Sequence, residues 1–324
     1  MASIDNLHNR LRSGDLVIID GGTGTEIPRR GVPLCPDTWS GRANLTHPDV
    51  IRQIHEDYIR VGAEVIITNT FWTSRKGLEK GNLDSKTSEI NRKAVKLAIE
   101  ARQNVKADKD IFIAGSMSTF FPMSDPNVIP SYEEALANYR EQAQILAEAG
   151  IDFFILEMFI RTLDARAAAN AASELGLPIW VGYSITESAD GDLCLGLRQD
   201  KHGNETIKEA VEAVENIDGV AAFCIMHSDV KHTQAGLTIL RNETSIPIGA
   251  YAHSIEPSKD PNDEWETVVK SSVEEYCNHA RQWVLAGATI VGGCCGVTPD
   301  QAVYLAQLVE DLPSVRLRGL MGYE

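Results

Sequence analysis

Short apolar runs alternate with longer segments whose apolar residues recur at helical spacing, and the alternation persists along the whole chain. The runs predict strands over 16–20, 64–68, 110–115, 153–157, 178–184, 219–224, 246–251 and 289–292. The helical segments predict helices over 49–61, 85–106, 131–149, 162–175, 205–215, 231–241, 273–286 and 299–310. Local signals agree. Pro48 falls near a first helical turn, where a missing N–H is tolerated. Ser131 followed by Glu133 and Glu134 gives a capping oxygen and acidic residues that suit the helix dipole. Gly176 supplies a helix stop. Near-continuous apolar strands separated by helices indicate a buried parallel sheet. Eight such units close naturally into a (β/α)8 TIM barrel, which needs about 250 residues. A doubly wound open sheet is the alternative, but no nucleotide-binding fingerprint accompanies it.

Composition narrows the function. The chain has 324 residues, 43% of them hydrophobic, enough for a large core, and no linker or low-complexity stretch divides it. Its net charge of −16 disfavours nucleic acid and anionic membranes as partners and favours small molecules; solubility alone is the stronger reason for the charge. No apolar run reaches the roughly 18 residues of a membrane span. The N-terminal MASIDNLHNRLRSGD lacks the apolar core of a secretory signal. A cytoplasmic, reducing setting is therefore expected, in which the six cysteines do not form a disulfide framework.

In parallel barrels the reactive groups gather where strands end at the C-terminal rim. The first predicted strand ends in Asp20 and runs into Gly21-Gly22-Thr23-Gly24-Thr25, the fourth ends in Glu157, and the sixth ends in Cys224. The eighth runs into Gly293-Cys294-Cys295-Gly296. Strands six and eight are separated by one strand, so their ends lie roughly 10 Å apart. Side chains from both can meet at a metal with Zn–S bonds of about 2.3 Å. Three thiolates would leave a tetrahedral position open, the mark of a catalytic zinc. From spacing alone, packing cysteines, a vicinal disulfide and a three-thiolate metal site all stay open. His227 reads as a solvated loop residue, with metal ligation as the alternative. The glycine-rich turn lacks both nucleotide-loop spacings, yet its backbone N–H groups suit a carboxylate. Asp20 and Glu157 suit an ammonium, so the rim as a whole suits an α-amino acid.

Three stretches carry a resemblance: IDGGTGTEIPRRG at 19–31, ITNTFWTSR at 67–75 and GGCCGVTPD at 292–300. Together with a cysteine closing the sixth strand, they resemble the homocysteine S-methyltransferase family over nearly the whole chain. The resemblance implies one homocysteine-binding barrel domain spanning 1–324, with Zn2+ held by Cys224, Cys294 and Cys295. It implies that Asp20 and Glu157 take the substrate ammonium, and Gly21 and Gly22 its carboxylate. The reaction implied is methyl transfer from an onium donor to the thiol of homocysteine, giving methionine.

Three departures from the family pattern stand beside it: Phe223 in place of an asparagine, Ala252-His253 in place of proline-asparagine, and the loop SMSTFFPMSDP at 116–126 in place of a glycine-rich one. These flank the expected metal and would shape the donor side. Phe71, Trp72, Phe120, Phe121 and Tyr251 are aromatic candidates for a cationic donor, and the short C-terminal tail favours an S-methylmethionine-like or S-adenosylmethionine donor. Another thiol acceptor, a demethylation reaction and a non-catalytic thiol or metal-binding barrel are the competing readings.

Overall fold

The computed structural model describes residues 3–120, 129–197, 205–257, 267–269 and 271–311. Numbering the barrel strands alone, they are β1 (Val17–Ile18), β2 (Val65–Ile67), β3 (Phe112–Ser118), β4 (Phe153–Phe159), β5 (Ile179–Tyr183), β6 (Val220–Asp229), β7 (Ile248–His253) and β8 (Ala288–Val291). They form one parallel sheet in the order β1-β8-β7-β6-β5-β4-β3-β2. A parallel bridge between Ile19 and Val65 joins its two edges, so the sheet closes as the expected (β/α)8 barrel.

Two apolar layers hold it. Outward-facing strand residues such as Ile66, Ile113, Leu156 and Val181 pack under the helices. The helix Thr162–Ser173 presents Ala165, Ala168, Ala169 and Ala172 to that layer, and their small side chains let it lie close to the sheet. Inward-facing Val17, Val65, Phe112, Phe153 and Trp180 fill the interior near the start of the strands. An N-terminal helix, Ile4–Arg12, buries Leu7 and Leu11 in this inner layer, and the Trp180 indole N–H donates to its His8 at 3.0 Å. It seals the end where the strands begin. Chemistry is thereby left to the opposite end. Among the described residues, no helix is long and apolar enough to cross a membrane.

The predicted helices recur with ends displaced by one to a few residues; for instance Tyr132–Ala149 starts on a full Ser131–Glu134 capping box. Four helices were not foreseen: Ile4–Arg12, Thr23–Arg29, Ala43–Thr46 and Arg75–Glu79. Nor were two antiparallel strand pairs beyond β5 and β7, Ile185–Glu187 with Leu193–Leu195 and Ile255–Pro257 with Thr267–Val269. The difference that matters most is in β6. It does not end at Cys224 but continues through Asp229, pairing Ile225 and Met226 with Ala250 and Tyr251, and then Asp229 with His253 after a register shift. Polar residues in His227-Ser228-Asp229 read as loop, whereas here the strand runs on through them to the rim, its pairing with β7 broken after Met226 and resumed at Asp229.

Candidate active site

At the C-terminal rim lies a cavity of about 620 Å3, room for an amino acid together with a small co-substrate. Its wall takes Gly21 and Gly22 from the loop after β1, Phe71 and Trp72 from beyond β2, and Glu157 and Met158 from β4. Met226 and His227 come from β6, Tyr251 and His253 from β7, and Cys294 and Cys295 from the turn after β8. Among the described residues only Trp39, Asn82, Met158 and His227 have a positive φ without being glycine, and three of those four line this cavity. Such conformations cost of order 1–3 kcal/mol and collect where function over-determines the backbone.

The cysteine turn is fixed from both sides. Gly293 N–H donates to the Asp20 carbonyl at 3.0 Å, Cys294 N–H to Ala252 at 3.0 Å, and Ser254 N–H to Cys295 at 2.8 Å. Gly296, at φ +80°, completes the reversal and donates to the Thr25 hydroxyl at 3.0 Å. The two thiols end 3.8 Å apart and unbonded, so no vicinal disulfide is present. Cys295 is held well below the usual thiol range by the hydrogen bond from Cys294, against the effect of burial, with His227 helping. The Cys294 thiol is pushed up, first because it donates to its neighbour and then by burial. His227 Nδ1 sits 3.5 Å from the Cys294 sulfur and 3.7 Å from that of Cys295. A tetrahedral zinc with Zn–S of about 2.3 Å and Zn–N of about 2.0–2.1 Å has ligand–ligand edges of about 3.8 and 3.6 Å. The three donor atoms therefore match one face of a zinc site.

Cys224 is placed differently. It is buried in the middle of β6, opposite Gly249, and does not line the cavity. Among the described residues, the cluster whose donor atoms all lie within 4.8 Å of one another is His227, Cys294 and Cys295, without Cys224. The Cys224 thiol is nonetheless close to the same chemistry: its pKa is raised by burial and then by the Glu157 charge, and both it and Cys294 act on Tyr251.

The amino-acid side divides similarly. Glu157 is buried and accepts from the Ser116 hydroxyl. Burial lifts its pKa to about 7, against the Ser116 bond and the neighbouring Tyr251 hydroxyl. Asp20 lies behind the cavity wall rather than in it. One of its oxygens accepts from Ile67 N–H at 2.9 Å, the other is buried without a partner, and burial raises its pKa well above the usual carboxylate value. Gly22 N–H already donates to the Val297 carbonyl at 3.1 Å. What glycine provides there is closeness: a Cβ on Gly22 would stand 2.7 Å from the Cys294 carbonyl and 3.2 Å from Cα of Cys295. Gly22→Ala is expected to push the cysteine turn outward and cost about 1–3 kcal/mol of stability. A metal titration beside a thermal melt checks it; unaltered metal affinity would mean the turn accommodates the methyl group without moving.

Of the aromatic candidates, Phe71, Trp72 and Tyr251 line the cavity. Phe120 does not. It is buried against Tyr139 with ring centroids 5.3 Å apart, because the end of β3 turns it under the helix Tyr132–Ala149. Phe121 lies outside the described residues, as does the rest of the 116–126 loop beyond Phe120. Sequence reasoning missed Trp39, whose ring stands 5.3 Å from Phe71 at 66° in the cavity wall. Nothing in its local sequence signals this. It also passed over His253, known only as part of a departure from the family pattern, which meets His227 edge-on at 5.1 Å.

Comparisons with known proteins bear on this geometry. The family model for homocysteine S-methyltransferase matches residues 17–309. A selenocysteine methyltransferase from Astragalus bisulcatus is 28% identical, the match covering 91% of this chain and 92% of that protein. Homocysteine S-methyltransferase 3 from Arabidopsis thaliana is 26% identical over 96% of this chain and 94% of its own. Among solved structures, the metallated form of the homocysteine methyltransferase MmuM from Escherichia coli superposes with a TM-score of 0.74 at 24% identity, covering 91% of this chain and 96% of that one.

Proposed function

This chain belongs to the homocysteine S-methyltransferase family, and from that premise we propose that it is a zinc-dependent enzyme moving a methyl group from an onium donor to the thiol of homocysteine, yielding methionine. The observation that carries the reading is the joining of Cys294, Cys295 and His227 into one face of a metal site, in the same cavity wall as the buried carboxylate of Glu157. Cys224, Cys294 and Cys295 would hold the metal. When bound, zinc keeps a coordinated thiol deprotonated at neutral pH, where a free alkyl thiol with pKa about 8.5 is only about 3% ionised.

The rest of the chemistry falls to the chain. Glu157 receives the substrate ammonium, and that charge holds the carboxylate ionised at pH 7. Asp20 stands behind the wall with one oxygen unpartnered, and a nearby ammonium would favour its ionised form. Gly21 and Gly22 let the amino-acid end approach the backbone of the cysteine turn. Trp39, Phe71 and Trp72 offer ring faces to a sulfonium or quaternary ammonium, an attraction worth about 0.5–2 kcal/mol. The cavity orients the two reactants for a single in-line displacement and keeps water from competing for the methyl group. A reducing, cytoplasmic setting suits six unbonded thiols.

The direct test is product mass spectrometry over a panel of donors and acceptors, with zinc removed and restored. S-methylmethionine, S-adenosylmethionine and betaine are the donors. Homocysteine, selenocysteine and a thiol lacking the α-amino group are the acceptors; selenocysteine belongs there because a relative is named for it. Methionine from homocysteine with at least one donor, abolished by chelation and restored by zinc, is the expected result. Equal turnover of the thiol without an amino group would overturn the amino-acid assignment. Trp39→Leu should raise the donor KM about 3- to 30-fold while leaving thiol binding unchanged, which steady-state kinetics and thiol titration separate.

A further inference from the structure

We propose that His227 is itself a metal ligand of the resting protein, and that its Nδ1 holds the coordination position which the acceptor thiol takes over. This rests on the zinc reading above. The donor-atom edges around His227 are those of a tetrahedral zinc face, with 3.5 and 3.7 Å to the two sulfurs and 3.8 Å between the sulfurs. The local backbone is built to achieve this. In a regular strand, alternate residues share a face, so a β6 that turned Cys224 and Met226 inward would turn His227 outward. The register shift after Met226 and the φ of +46° at His227 break that alternation and bring the imidazole into the cavity wall. A non-glycine residue in the left-handed region, held there at a break in the strand pairing, calls for a compensating interaction, and metal ligation would supply one. His253 packs edge-on against the His227 ring at 5.1 Å and 75° and helps to fix its orientation.

Three cysteine sulfurs leave one tetrahedral position. Cys224, three residues earlier in β6, lies outside the close donor cluster; were it to supply the third sulfur, His227 would fill the fourth position. Its place in the wall of the cavity that also holds Glu157 puts it where an amino-acid thiol arrives. With zinc bound, Nδ1 would give up its position to the incoming sulfur, and the thiol proton would pass to solvent. His227 thereby keeps the site closed between turnovers and gives way to a softer, charged ligand.

X-ray absorption at the zinc edge of the reduced, zinc-loaded protein tests this without any assay of activity. Expected for the resting protein are three sulfurs at about 2.3 Å and one nitrogen at about 2.0–2.1 Å, with the outer-shell scattering of an imidazole ring. Adding homocysteine should give four sulfurs and erase the imidazole features. His227→Asn, a residue type that tolerates the left-handed backbone, should keep about one zinc per chain but lack imidazole features before thiol is added. Three sulfurs with an oxygen in the wild type would overturn the inference and leave the zinc reading standing. Imidazole features that persist once the thiol sulfur is bound would overturn it too. Two sulfurs with an imidazole would support His227 and remove Cys224 from the ligand set. A protein that takes up no zinc under reducing conditions would end both.

Discussion

Cys294→Ala and Cys295→Ala are each expected to fold, to lose most of the bound zinc and to fall below about 1% of wild-type methyl transfer. Removing even a group that only hydrogen-bonds to a metal ligand typically costs 10- to 100-fold in affinity or activity, so deleting a ligating sulfur should exceed about 100-fold. The fold should survive because the turn is held by backbone bonds to Asp20, Ala252 and Ser254, none of which uses a sulfur. Cys224→Ala belongs to the same experiment but differs in kind. Its thiol is fully buried, so the variant removes packing as well as a sulfur, and a drop of about 1–3 kcal/mol in stability should accompany the loss of metal. Metal analysis under reducing conditions, read beside thermal melts, separates the two effects. Zinc at wild-type level in all three variants would remove these cysteines from the metal site.

The barrel was legible because a parallel sheet covered on both faces needs strands that are apolar on both faces, and such runs stand out from helices of mixed polarity. The rim was legible only in part. Asp20, Glu157 and the Cys294-Cys295 pair announce themselves because each directly follows or ends an apolar run. His227 does not. Its placement depends on a register shift and a left-handed φ inside β6, and neither leaves a mark in a sequence where Met226-His227-Ser228-Asp229 reads as a polar exit from a strand. Trp39 was invisible for another reason: it reaches the cavity from a loop between β1 and β2, and only its distant packing on Phe71 brings it there. Phe120 erred the opposite way. Position in a rim loop suggested a ligand-facing ring, but the side chain completes the core against Tyr139. The rule that rim loops carry function locates a neighbourhood, and the direction of each side chain is set by packing the sequence pattern does not express.

Glu157→Gln should divide stability from substrate binding in one variant. The wild-type carboxyl is buried with its pKa lifted to about 7, chiefly by burial. An acid whose folded pKa lies above its unfolded value stabilises the fold most below the unfolded pKa, and that contribution is lost as pH rises through the folded one. Glu157 therefore weakens the substrate-free protein progressively between about pH 4.5 and pH 7, whereas glutamine, which never ionises, does not. Relative to wild type, the variant should gain about 2.5 kcal/mol of stability between pH 5 and pH 8. Binding should move the other way. A glutamine keeps the Ser116 hydroxyl within reach but offers no charge to an ammonium, and one charge-assisted hydrogen bond is worth about 1.5–3 kcal/mol. Homocysteine should then bind about 10- to 150-fold more weakly, with zinc content near normal because no ligand has changed. The difference should vanish for a thiol without an α-amino group. Denaturant melts at the two pH values and thiol titrations at pH 8 give both readouts. A variant that loses stability at pH 8, or that binds homocysteine as tightly as wild type, would place the ammonium elsewhere and leave the buried Glu157 with a structural role.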